Sequence, residues 1–158
     1  MKTLREYYNI LRNIDLWQTL QLARTISHPR SSSIRVIHRA NIFVHKSAGI
    51  ILSESSSLTI NEWNTTKPTS QPCSICLESQ SKLTINGHVT LCEGSKLIAK
   101  MGGDIEIHSQ SYVNGATIDC SQKIIIGRYC AIAQGVIIKD SDEHGIIDEC
   151  GNENEYTK

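Results

Sequence analysis

The chain has 158 residues, enough for one domain with a sizeable core, and its 16 Lys/Arg balance 16 Asp/Glu to a formal net charge of zero. No apolar run approaches the ~20 residues of a membrane span, and no signal peptide is visible at the start, so a soluble cytoplasmic protein is expected. The charge is unevenly spread: residues 1–50 carry eight Lys/Arg and two Asp/Glu, a net of +6, whereas residues 140–155 hold seven acids and no Lys or Arg. The acidic C-terminal stretch argues against nucleic acid, and the basic part favours an anionic surface no more than it favours a solvated face.

In chain order, residues 1–28 read as an amphipathic helix. Leu4, Tyr7, Tyr8, Leu11 and Ile14 follow helical spacing, and the pattern continues through Leu20, Leu22 and Ile26 until Pro29 stops it. Such a helix either lies on a membrane or packs on the next element and covers an exposed sheet edge. Its polar face is only mildly basic and its apolar face ordinary, so the covering role is expected and membrane association is not.

Residues 34–144 change period. An aliphatic-x-aliphatic phrase followed by a small or polar residue recurs at Leu58–Asn61, Leu83–Asn86, Ile105–His108 and Ile124–Gly127, with Ile42–His45 as an earlier copy. Ile85, Leu91 and Leu97 are six apart, as are Ile107 and Val113, and then Ile126, Ile132 and Ile138; the next step of six lands on His144. Neither a helix nor a hairpin strand has this period, which predicts a mainly β parallel solenoid, each hexad one short strand and one corner. The steps from Ile60 to Ile85, Ile107 and Ile126 are 25, 22 and 19 residues, which reads as a triangular coil of three hexads with one loop that shrinks along the chain. Stacked coils, about 4.8 Å apart, complete one another's hydrogen bonds and bury a continuous aliphatic ladder. Inward positions near corners call for small residues, which suits Cys92, Cys120 and Cys130. Residues 145–158 form an acidic C-terminal loop or tail.

The six cysteines, at 73, 76, 92, 120, 130 and 150, form no disulfide framework expected of a secreted domain. Cys73-Ser-Ile-Cys76 is a lone pair without a second, where a structural zinc needs four ligands, so no metal is expected.

The run from Tyr112 to His144 resembles the hexapeptide-repeat acyltransferases, nearest to the galactoside and maltose O-acetyltransferases and the O-acetyltransferases of surface polysaccharides. Tyr112-Val113-Asn114 resembles the segment that presents an asparagine to the acceptor, and Asp140-Ser141-Asp142-Glu143-His144 the segment that carries the catalytic histidine. The match extends over about residues 105–147. The resemblance implies a left-handed parallel β-helix, an exception to the right-handed crossover rule, assembled as a homotrimer where the fold is complete. It implies transfer of an acyl group, usually acetyl, from acetyl-CoA to a hydroxyl of a sugar or surface-glycan precursor. His144 would be the general base, since an imidazole with an ordinary pKa of ~6.5 is largely neutral at cellular pH. Asp140 or Asp142 would orient it or bind sugar hydroxyls, and Asn114 would hold the acceptor. Asparagines also fill left-handed solenoid corners, which is the other reading of Asn114.

The family continues past its histidine into further coils that hold much of the CoA. Gly145–Lys158 contains no further hexad, so the expectation is a C-terminally truncated relative whose cofactor-binding residues are not identified. Two alternatives follow. One is an inactive truncated solenoid acting as a scaffold or remnant. The other resembles the gamma-class carbonic anhydrases, whose metal needs three converging histidines; His88, His108 and His144 lack the closely spaced pair such sites use, and His88 and His108 are expected to be outward coil residues.

Overall fold

A computed structural model describes residues 14–27, 29–62, 71–141, 146–147 and 153–154. Among the described residues helix α1 (Leu16–Thr25) comes first and strands follow in sets of three. The first set is β1 (Ser33–Val36), β2 (Asn41–Val44) and β3 (Gly49–Leu52); the second is β4 (Ser57–Glu62), β5 (Ser74–Leu77) and β6 (Lys82–Asn86). The third comprises β7 (His88–Cys92), β8 (Lys96–Ala99) and β9 (Asp104–His108), and the fourth β10 (Ser111–Val113), β11 (Thr117–Cys120) and β12 (Lys123–Ile126). Two strands, β13 (Ala131–Ile132) and β14 (Ile137–Lys139), begin a fifth circuit. Beyond them β15 (Ile146–Ile147) and β16 (Glu153–Asn154) form a short antiparallel ladder within the stretch expected to be loop.

The strands pair in three parallel sheets: sheet I is β1-β4-β7-β10-β13, sheet II is β2-β5-β8-β11-β14 and sheet III is β3-β6-β9-β12. The chain therefore visits the three sheets in rotation, and each circuit stacks on the one before. A parallel solenoid requires this arrangement. The hexads explain it, because Ile85, Leu91 and Leu97 are the inward residues of β6, β7 and β8, one per sheet, each with no exposed surface. Inward positions alternate with outward ones along each strand, as the two-residue side-chain period demands. Stacked ladders result, such as Ile60–Leu91–Val113–Ile132 in sheet I.

One expected equivalence is wrong. Ile60 does not stack on Ile85; it pairs with Leu91, and Ile85 pairs with Leu52. All three faces carry the same aliphatic-x-aliphatic phrase, so the phrase identifies a strand without saying which sheet it joins. The connection of residues 63–73, far longer than the other corners, conceals the skipped face. Ile42–His45 likewise belongs to sheet II, opposite Ile75–Leu77, rather than to the face of Ile85.

Corners use left-handed backbone and buried hydroxyls. At the corner from sheet III to sheet I, Ser55, Gly87, Gln110 and Tyr129 occupy the left-handed region in successive circuits. Buried Ser56, Ser95 and Ser111 bind backbone groups of the adjoining circuit: the Ser56 hydroxyl accepts from Gly87 N at 2.8 Å, and those of Ser95 and Ser111 donate to Val113 O and Gly127 O at 2.9 and 2.7 Å. Cys92 and Cys120 are buried as expected, whereas Cys130 is half-exposed.

Residues 1–13 of the expected helix lie outside the described residues, and the described helix α1 begins at Leu16 rather than running through Ile14. Asp15 caps it, its carboxylate accepting from Gln18 N at 2.9 Å, and Ile14 instead forms a bridge with Ile37. The helix closes the edge of the first circuit with hydrogen bonds that a further strand would otherwise make. Val36 N donates to the Thr19 hydroxyl (3.0 Å), Ala40 N to Gln18 Oε1 (3.0 Å), and Gln18 Nε2 to Ala40 O (2.8 Å). Ser27 bridges β3, and Leu22 and Ile26 enter the core. No described helix is long and apolar enough to cross a membrane.

Candidate functional site

Of the four residues singled out by sequence, His144 and Asp142 lie outside the described residues. The other two fall at different corners. Asn114 follows β10 at the corner from sheet I to sheet II, its backbone N–H donating to Ile132 O at 2.9 Å. The left-handed residue there is its neighbour Gly115 (φ +62°), so Asn114 does not serve as the left-handed turn residue. Asp140 follows β14 at the corner from sheet II to sheet III, and the whole length of β11 separates the two corners. The described structure thus does not bring Asn114 and Asp140 together.

Asp140 has a clear local task. Its carboxylate accepts from three consecutive backbone N–H groups of the preceding circuit, Ser121 (2.7 Å), Gln122 (2.8 Å) and Lys123 (2.8 Å), with the Cys120 thiol at 3.5 Å. Partial burial works to raise its pKa, but the combined donors outweigh it and hold the carboxyl below its ordinary value. The side chain therefore ties the fifth circuit to the fourth. Because the native pKa is depressed, this contribution is present in full above the ordinary carboxylate pKa of ~3.9 and is lost as pH falls through the native value. Asp140→Ala is expected to cost about 2 kcal/mol at neutral pH, from loss of charge-assisted hydrogen bonds. Denaturant titrations should show the gap between wild type and variant closing in acid.

A further polar network lies at the corner from sheet III to sheet I. Asn86 and His108 are register partners at the ends of β6 and β9. The Ser53 hydroxyl donates to Asn86 Oδ1, Asn86 Nδ2 donates to Glu106 Oε1 at 2.6 Å, and His108 Nε2 meets the same oxygen at 3.0 Å. An ionised carboxylate only accepts, so Glu106 fixes the proton on Nε2 and leaves the Nδ1 lone pair of neutral His108 available as a base. On the same edge the Ser57 hydroxyl lies 2.7 Å from His88 Nδ1. That pair has the elements of a nucleophile and base but lacks their support. The nearby backbone donors are engaged, Ser57 N with Gly87 O and Gly87 N with Ser56 Oγ, which leaves them unable to serve an oxyanion.

Both histidines face outward, as the sequence reading has them, but that reading missed their partners. The signal was present for Glu106, since Glu106 and His108 stand two apart on one strand and must share its outer face. The Asn86 and Ser53 contributions depend on stacking register and left no local trace.

Three of the cysteines are held away from thiolate chemistry. Burial pushes the Cys73 thiol up to about 12 and those of Cys92 and Cys120 up to about 11, so all three are protonated near neutrality. Cys73 is buried while Cys76 lies on the outer side of β5, because residues three apart on extended chain face opposite ways. Among the described residues no three His, Cys, Asp or Glu side chains gather into a group that could hold a metal. No family model, curated protein or solved structure matches the chain.

Proposed function

We propose that this chain is a hexapeptide-repeat acyltransferase, a left-handed parallel β-helix that moves an acetyl group from acetyl-CoA to a hydroxyl of a sugar or surface-glycan precursor. The observation that carries the reading is the match between hexad and sheet. Ile126, Ile132 and Ile138 take the inward position of β12, β13 and β14, one in each of the three sheets, and one further hexad is His144. A short strand-and-corner unit with an imidazole one step on, in an aspartate-rich turn, is the feature shared with that family.

In the proposed reaction His144 accepts the proton of the acceptor hydroxyl as its oxygen attacks the thioester carbonyl. The new C–O bond forms, the C–S bond breaks, and the departing CoA sulfur takes the proton from His144, leaving as the thiol and restoring the base. Homotrimeric assembly belongs to the same reading. Asp140 enters as a structural tie between circuits, and Asp142 and Asn114 are the residues assigned to the acceptor.

Two measurements test this. Calorimetric titration of acetyl-CoA into the wild type should give saturable binding that His144→Ala retains. CoA release with maltose or a galactoside as the probe acceptor should fall by about 10²–10⁴-fold in His144→Ala. Loss of turnover in His108→Gln but not in His144→Ala would move the base to the Glu106-held imidazole. Absence of acetyl-CoA binding by a folded sample would leave an inactive solenoid acting as a scaffold.

A further inference from the structure

We infer that the first-circuit end of the molecule, centred on the outer face of helix α1, docks on an anionic lipid surface. The helix has two apolar faces, and among the described residues only one is packed on the strands. Inward, Leu22 and Ile26 are buried while Gln18 and Thr19 bind the β1 edge and its corner. Outward, Leu16, Trp17 and Leu20 are 61%, 70% and 53% exposed. At about 100° per residue, Leu16, Leu20, Arg24 and Trp17 fall in one sector opposite Gln18, Leu22 and Ile26. An open groove lined by Gln18, Gln21, Leu22, Arg24, Ile42 and Val44 joins the helix to β2, and Phe43 on that strand is also exposed.

Charge selects the occupant. Residues 14–50 contain five cations, Arg24, Arg30, Arg35, Arg39 and Lys46, and all are exposed. Against them stand two acids through the last corner of that circuit: Asp15, whose carboxylate is committed to the helix cap, and exposed Glu54 at the corner after β3. A second copy docking through the same face would bring two cation sets together. A free glycan would leave the leucines wet. A bilayer with anionic headgroups satisfies both features: Trp17, Leu16 and Leu20 enter the boundary between headgroup and acyl chain, while the arginines extend to phosphates.

The test is co-sedimentation of the 158-residue protein with vesicles of phosphatidylglycerol and phosphatidylcholine, and with phosphatidylcholine alone. Binding should be at least about tenfold tighter on the anionic vesicles and should weaken with salt. Leu16→Glu/Leu20→Glu should abolish it. Arg24→Glu/Arg39→Glu should remove the lipid preference, and this second variant reads the surface independently should the first fail to fold. No binding, or equal binding to both vesicle types, overturns the inference. So does binding unchanged in the folded variants, or a wild-type dimer that Leu16→Glu/Leu20→Glu dissociates.

Discussion

Gly87→Ala is expected to destabilise the fold by about 3 kcal/mol or more, combining a left-handed backbone with direct overpacking. Gly87 alone connects β6 to β7, and its φ of +104° lies outside the range that an L side chain adopts comfortably. A Cβ placed there would also stand 2.4 Å from Ser109 Cβ and 3.0 Å from Ser109 Cα, so the fourth circuit's approach would have to give way. Two other glycines separate these effects. At Gly102 φ is +77° but nothing lies within 4 Å of an added Cβ, so Gly102→Ala should cost about 1 kcal/mol from backbone strain alone. Gly49 in β3 has neither feature, and Gly49→Ala should be neutral or slightly stabilising. Equilibrium unfolding of the three variants measures the ordering. Equal losses at Gly87 and Gly102 would mean that the corner relaxes around the new methyl.

Leu91→Ala is expected to cost about 3–5 kcal/mol, the range for a large cavity in a packed core. Leu91 has no exposed surface and is stacked between Ile60 and Val113 within sheet I. The lost methyl groups leave a void that the two neighbouring circuits hold open, because the rung is hydrogen-bonded on both sides. The same ladder ends at Ile132, which is half-buried, and there Ile132→Ala should cost only about 1–2 kcal/mol. Amide exchange should show the matching gradient, slowest in β6 to β9 and fastest in β13 and β14. A flat profile would mean that the stack opens only as a whole.

The hexads through Ile138 and the outward-facing His88 and His108 were legible in the sequence, because both are local patterns. Asp140 was legible as a residue but not in its task, because its three donors belong to Ser121, Gln122 and Lys123, a full circuit earlier in the chain. Of the two readings of Asn114, the left-handed corner falls away, because the adjacent Gly115 takes that backbone at no steric cost.

The sequence by itself determined the rung. Side chains alternate along a strand and the chain turns once per six residues, so local spacing alone assigned Ile85, Leu91, Leu97, Ile107, Val113 and Ile126 to the core. Only the tertiary structure decided which rung lies on which. Three faces written in the same aliphatic phrase are indistinguishable along the chain, and the connection of residues 63–73 erases the count between them. Stacking register then sets what local pattern cannot: Ile60 over Leu91, Asn86 against Glu106, and the Asp140 carboxylate against the backbone of the circuit before it. It also decided that helix α1 turns Leu22 to the first circuit and keeps Leu16, Trp17 and Leu20 exposed on its other side. The hydrogen bonds of Gln18 and Thr19 to the β1 edge and its corner fix the helix's rotation.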